Sequence, residues 1–169
     1  MVEVILGIGG NTGDRLKNLL LAGGLLADKL GAITAFSPIV ESEPWGFNSQ
    51  NWFLNQILIL ETSQSPGELI ETCLAIEEIL GRKRTDSYSD RIMDIDILFY
   101  GNQIITDQNL TIPHPRLHLR SFILKPLENL RPELIHPIMG LSVKEMLESC
   151  TDTTVCNWFR PDHSTVLLP

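Results

Sequence analysis

Ala32-Ile33-Thr34-Ala35-Phe36-Ser37-Pro38-Ile39-Val40-Glu41-Ser42 is followed, after a polar aromatic loop from Trp45 to Trp52, by Phe53-Leu54-Asn55-Gln56-Ile57-Leu58-Ile59-Leu60-Glu61-Thr62. Both stretches read as strands, the first closed by Glu43-Pro44, and no helical period separates them. Two consecutive strands exclude a doubly wound parallel sheet, in which strands and helices alternate strictly. Upstream, Val2 to Ile8 reads as a buried strand and Gly9-Gly10-Asn11-Thr12-Gly13 as a turn. Asp14 then caps a helix whose apolar positions are Leu16, Leu19, Leu20, Gly23, Leu26 and Leu30, ended by Gly31. Downstream, Ser65-Pro66 opens a second helix through Leu69, Ile70, Cys73, Ile76 and Leu80, stopped by Gly81. Asp94 to Tyr100 is the next strand. The order strand, helix, strand, strand, helix, strand is a split βαβ pattern with an antiparallel sheet under helices.

The rest of the chain is less regular. Gly101-Asn102 turns into a strand at Gln103 to Thr106, and Ile112-Pro113-His114-Pro115 is barred from helix by its prolines. Phe122 to Leu130 reads as a short helix in spite of Pro126, and Ser142 to Ser149 as a last one. We expect one domain over 1–149, with 150–169 as a C-terminal tail lacking a clear period. The chain has 169 residues and a net charge of −8, which disfavours nucleic acid or an anionic membrane as main partner. No apolar run approaches the ~18 residues of a membrane span, and the first residues lack a secretory pattern. Cys73, Cys150 and Cys156 form no CxxC pair, so neither a disulfide framework nor a zinc site is expected. A reducing cytoplasm and a monomer are the simplest expectations.

Chemistry concentrates around Asp94-Ile95-Asp96-Ile97. Residues two apart on a strand share a face, so both carboxylates stand together, roughly 6.5–7 Å apart at Cα, while Ile95 and Ile97 face the core. Like charges side by side on a strand repel, and a divalent cation such as Mg²⁺ removes that cost. A plain solvated face is the alternative. Arg82-Lys83-Arg84 and Arg91 flank the acidic strand and either neutralise it or clamp phosphates beside it. The glycine turn fits neither nucleotide fingerprint: the third glycine of G-x-G-x-x-G is missing in register, and Gly13 precedes Asp14-Arg15 rather than Lys-Ser/Thr. His114, held between two prolines and followed by Arg116 and Arg120, is either structural or a site residue. His136-Pro137 has no charged company and reads as structural. Phe53, Phe122, Trp45 and Trp52 are core candidates, although the tryptophans flank a polar loop where large aromatics contact ligands.

Taken together, the runs Leu6-Gly7-Ile8-Gly9-Gly10-Asn11, Glu41-Ser42-Glu43-Pro44-Trp45-Gly46, Phe53-Leu54-Asn55, Gly81-Arg82-Lys83-Arg84, Arg91-Ile92-Met93-Asp94-Ile95-Asp96-Ile97-Leu98, Ile112-Pro113-His114-Pro115-Arg116, Arg120-Ser121-Phe122 and His136-Pro137 resemble the 6-hydroxymethyl-7,8-dihydropterin pyrophosphokinases. The resemblance spans about residues 2 to 148 and implies an α+β, ferredoxin-like βαββαβ core with extra C-terminal strands and helices. It implies transfer of pyrophosphate from ATP to the pterin hydroxymethyl group in folate biosynthesis, with release of AMP. The partners implied are these small molecules. A non-catalytic pterin- or nucleotide-binding relative is the alternative. Two Mg²⁺ ions would bridge Asp94 and Asp96. The pterin would stack between Phe53 and Phe122, with Asn55 on its edge and Ser42, Pro44 and Trp45 lining the pocket. Arg82, Arg84, Arg91, His114 and Arg120 would hold the triphosphate, and Glu77 would support the site. Arg82, Arg91, Asp94 and Asp96 are the implied catalytic set.

The chain departs from the family pattern at two places. Gly10 stands where serine is common, and Tyr88-Ser89-Asp90-Arg91 replaces the usual Trp-Gly-Pro-Arg. Asp90 sets a negative charge beside Arg91, with altered ATP affinity or loop closure as the expected consequence.

Overall fold

A computed structural model describes residues 1–82 and 89–161. Strand β1 (Val2–Gly10) leads into helix α1 (Arg15–Leu30). The Asp14 side chain accepts from the Lys17 N–H at 3.0 Å and caps that helix. Strands β2 (Ile33–Phe36), β3 (Val40–Ser42) and β4 (Phe53–Thr62) follow, then α2 (Pro66–Ile79) and β5 (Asp94–Tyr100). Ser65 and Glu68 form a reciprocal capping box ahead of α2, with Pro66 in the first turn. The main sheet runs β5-β1-β4-β3, with β2 also on β4, and every pairing is antiparallel. This is the expected ferredoxin-like α+β core.

Period-2 alternation along these strands divides the core in two. Val4, Leu6 and Ile8 of β1, Leu54, Leu58 and Leu60 of β4, and Ile95 and Ile97 of β5 pack with α1 and α2. Ile5, Ile57, Ile59, Leu98 and Phe99 face the other way. They pack with α3 (Ser121–Leu130) and α4 (Val143–Ser149). Ladder register shifts between Ile5 and Leu6, opposite Leu98. This bulge lets Leu98 and Phe99 both join the second layer.

Several elements differ from the sequence expectation. Strand β1 continues through Gly9 and Gly10 instead of turning at Gly9. A side chain there would collide with its neighbours: a Cβ on Gly9 would lie 2.3 Å from Asn55 Oδ1, and one on Gly10 2.0 Å from the Ile92 carbonyl oxygen. The stretch Ala32 to Ser42 is two short strands, because Pro38 has no N–H for the ladder. Ser37 bridges the gap, its Oγ accepting from the Ile57 N–H at 3.0 Å. The strand expected over Gln103 to Thr106 shrinks to β6 (Ile105–Thr106), paired with β7 (Thr111–Ile112) in a separate two-stranded sheet. Pro126 lies inside α3, which survives because Ile123, Leu124, Pro126 and Leu127 are all buried on the second layer. Within the segment read as a tail, β8 (Cys156–Trp158) pairs with β3 and closes that edge of the sheet. Three residues are too few to show a period, so pairing rather than pattern makes this strand.

Candidate active site

The ladder places chemistry where the second layer runs out of helix. Gly9 lies between Asn55 of β4 and Asp94 of β5, and two residues earlier Gly7 lies between Ile57 and Asp96. Phe53, Asn55, Asp94 and Asp96 therefore share one face with two glycines. The absent side chains leave a pocket floored by Gly7 and Gly9. Its walls include Ser42, Trp45, Phe47, Arg91, Arg120 and Phe122.

Asp94, Asp96 and Glu77 each meet a guanidinium. Arg82 bonds both Asp94 and Glu77, and Arg91 Nε lies 2.9 Å from Asp94 Oδ2. Arg120, 5% exposed, reaches Asp96 Oδ2 at 3.0 Å. Although 29% of the Asp96 side chain faces the opening, the pocket walls strip most of its water and Asp94 adds a like charge. Both effects raise its carboxyl above the ordinary range, against the lowering by Arg120 and Arg91. An aspartate pair in this condition is suited to a cation.

Glu77 stands behind the pocket and does not line it. It is 2% exposed, and its Oε1 accepts from the Ile95 N–H at 2.7 Å and from Arg82 at 2.5 Å. It thus ties α2 to the acidic strand and aims Arg82 at Asp94. His114 hangs from its own backbone, whose N–H donates to the Leu98 carbonyl at 3.0 Å. Burial first, then the charges of Arg120 and Arg116, push its imidazole down to about 4, so the ring is neutral at pH 7. Its Nδ1 accepts from the Arg116 N–H at 3.2 Å, which leaves the ring hydrogen on Nε2, 3.9 Å from Asp96 Oδ1. That contact is a neutral imidazole beside a carboxylate rather than an ion pair.

The other side of the pocket is aromatic. Arg91 stacks over Phe53 with its guanidinium 5.0 Å from the ring centre. Arg120 lies 5.0 Å from the Trp45 ring and 5.8 Å from that of Phe122. Buried Asn55 donates through Nδ2 to Ser42 Oγ at 2.9 Å, which fixes its amide orientation. Pro44 is not on this pocket; it lines a neighbouring depression with Phe47 and Trp52. Arg84 and Tyr88 lie outside the described residues.

Asp90 joins three loops. Its Oδ1 accepts from Asn11 Nδ2 and its Oδ2 from Asn51 Nδ2, each at 2.7 Å. Hydrogen bonding from Ser49, with Asn11 and Asn51, holds its carboxyl below the usual range. Asn11 in turn accepts from the Arg91 N–H at 2.8 Å, and its own N–H donates to the Arg91 carbonyl at 2.9 Å. Gly10 permits this approach, since any Cβ there would strike the Ile92 backbone. The two departures from the family pattern therefore meet at one junction.

Sequence reasoning missed Asn11, Asp90 as a link, and Phe47, whose ring packs edge-on at 6.1 Å against Phe53. Phe47 was available as an aromatic two residues beyond Trp45; the roles of Asn11 and Asp90 depend on contacts about 80 residues apart. Among the described residues no group of three or more His, Cys, Asp or Glu side chains forms a metal cage. Two carboxylates fit Mg²⁺, which takes one or two protein oxygens and completes its shell with phosphates and water. No helix among the described residues is long and apolar enough to cross a membrane.

Comparison with known proteins identifies the family. Residues 5–132 match the model of the 7,8-dihydro-6-hydroxymethylpterin-pyrophosphokinase family. The chain is 38% identical over 156 residues to the 2-amino-4-hydroxy-6-hydroxymethyldihydropteridine pyrophosphokinase of Aquifex aeolicus, covering 92% of this chain and 97% of that protein. It is also 38% identical over 149 residues to the folic acid synthesis protein fol1 of Pneumocystis carinii, of which it spans 20%. A crystal structure of Plasmodium falciparum HPPK-DHPS superposes with a TM-score of 0.72 at 18% identity, over 87% of this chain and 44% of that one. The chain thus belongs to the 7,8-dihydro-6-hydroxymethylpterin-pyrophosphokinase family.

Proposed function

We propose that this chain, by family a pyrophosphokinase of folate biosynthesis, moves the pyrophosphate of ATP to the hydroxymethyl group of 6-hydroxymethyl-7,8-dihydropterin and releases AMP. The observation that carries this is the pairing of Asp94 and Asp96 on one sheet face, between guanidiniums on one side and aromatic rings on the other. Phosphoryl-type transfer needs alignment and charge neutralisation more than covalent chemistry from the protein. In this reading Asp94 and Asp96 hold Mg²⁺, two ions in all, which would supply charge neutralisation at the triphosphate and polarise the attacking hydroxyl. Arg82 and Arg91 leave their carboxylate partners for phosphate oxygens, and His114 offers its Nε2 hydrogen to them. Arg120 and Arg84 complete the phosphate cradle.

Phe53 and Phe122 already have guanidiniums 5.0 and 5.8 Å from their ring centres, and a planar group is the shape a pterin presents. Asn55, locked by Ser42, recognises the pterin edge by hydrogen bonds, with Trp45 as a further wall. Glu77 contributes through Arg82 rather than by contact. The reaction takes place in the cytoplasm, on a monomer. The test is AMP formation from ATP and Mg²⁺ with and without the pterin. AMP that appears only when the pterin is present supports the reading; ATP and pterin left intact together overturn it.

A further inference from the structure

The match to the family model ends at residue 132, yet a segment beyond it touches both walls of the aromatic side of the pocket. On one wall, Asp152 Oδ2 accepts from the Ser121 N–H at 2.9 Å and from Ser121 Oγ at 2.8 Å. Ser121 is the first residue of α3 and lies between Arg120 and Phe122, both of which line the pocket. The first N–H groups of a helix have no partner within it, and a carboxylate there satisfies one and favours the helix dipole. Arg120 supplies no side-chain cap of its own, so Asp152 takes that place from a distance of 31 residues. The carboxylate is itself held, since its Oδ1 accepts from the Thr154 N–H at 3.0 Å and from Thr154 Oγ1 at 2.6 Å.

On the other wall, β8 pairs Cys156 with Ser42 and Trp158 with Val40. The Glu43 N–H donates to the Val155 carbonyl at 3.1 Å, and Glu43 Oε2 accepts from the Val155 N–H at the same distance. Ser42 and Glu43 both line the pocket. Lys125 of α3 closes the loop of contacts, donating to the Cys156 carbonyl at 2.7 Å.

We propose that residues 152–158 act as a strap that sets the position of the α3 N-terminus relative to β3, with Asp152 the positioning residue for Phe122, while Arg120 is held separately by its ion pair with Asp96. The ligand affected is the flat pterin on the aromatic side; the arginines at Asp94 belong to other elements. This rests on the reading of Phe122 as a wall for that ring.

The test compares wild type, Asp152→Ala, Asp152→Asn and Phe122→Ala in steady-state kinetics and in calorimetric titrations with the pterin and, separately, with a non-hydrolysable ATP analogue. Asp152→Ala should raise the pterin KM and Kd about tenfold and leave the ATP values within about twofold. Asp152→Asn keeps one acceptor oxygen and should recover most of the pterin affinity, an order that a general loss of folded protein would not produce. Should Asp152→Ala fail to fold, Ser121→Ala, which removes one of the two donors to Asp152 Oδ2, decides by the same contrast: about a threefold loss for the pterin and none for the ATP analogue. Equal losses for both ligands, or unchanged pterin affinity where Phe122→Ala loses it, overturn the strap. If Phe122→Ala also leaves pterin affinity unchanged, the reading of the pocket falls and the proposal with it.

Discussion

One face of one sheet contains two regions with opposite fates. Toward one end, Ile5, Ile57, Ile59, Leu98 and Phe99 lie dry beneath α3 and α4. Toward the other, on the same alternation, stand Gly7, Gly9, Asn55, Asp94 and Asp96 around a pocket. The boundary is where α3 begins, with Ile123 buried and Phe122 partly open. A strand position is thus core or site according to what covers it. The glycines make room, and the carboxylates persist because Arg82, Arg91 and Arg120 neutralise them.

The sharpest break of this comparison is a pair of truncations. Asp96→Ala should lower AMP formation by about a thousandfold or more while the thermal melt shows a native fold. Ile59→Ala, in the dry region, should cost about 2–5 kcal/mol in urea unfolding and leave both KM values unchanged in the folded fraction. Full activity of Asp96→Ala would end its assignment to the metal and phosphate site. Next in size, Phe122→Ala should weaken pterin binding about tenfold or more in calorimetry and ATP-analogue binding far less. Gly10→Ala should cost about 2 kcal/mol, because its Cβ meets backbone rather than a movable side chain. Unchanged urea stability would show that the Arg91–Ile92 segment yields easily.

The smallest effect is one of pH, in the dry region. Buried His136 accepts at Nδ1 from the Ile138 and Met139 N–H groups, both at 3.3 Å, and packs edge-on against Phe99. Burial, then the charge of His118, lower its pKa. The unfolded chain then takes up a proton first, so the contribution of His136 is full above about pH 6.5 and is lost as pH falls below that value. His136→Gln should flatten the acid side of a stability–pH curve; an identical slope would place the sensitivity elsewhere.

The two histidine-proline pairs also show how far the chain could be read directly. His136 is structural, as its uncharged neighbours in sequence suggest, while His114 faces Asp96. Order and type of the core elements were legible because period-2 and period-3.6 patterns are local. So was the placement of Asp94 and Asp96 on one face. The extension of β1 through Gly10 was not, since it depends on a partner strand, whereas the split at Pro38 follows from a missing N–H that the sequence itself carries.

By itself, the sequence determined the α+β core, the acidic pair opposite Ile95 and Ile97, and the family, since spacing along one chain suffices for each. Only the tertiary structure decided that Glu77 works from behind the pocket, that Asp90 joins Asn11 to Asn51, and that Asp152 caps α3. These roles depend on hydrogen bonds between residues 18 to 79 positions apart. A hydrogen bond acts over about 3 Å, and a lone polar residue carries no periodicity that points to its partner.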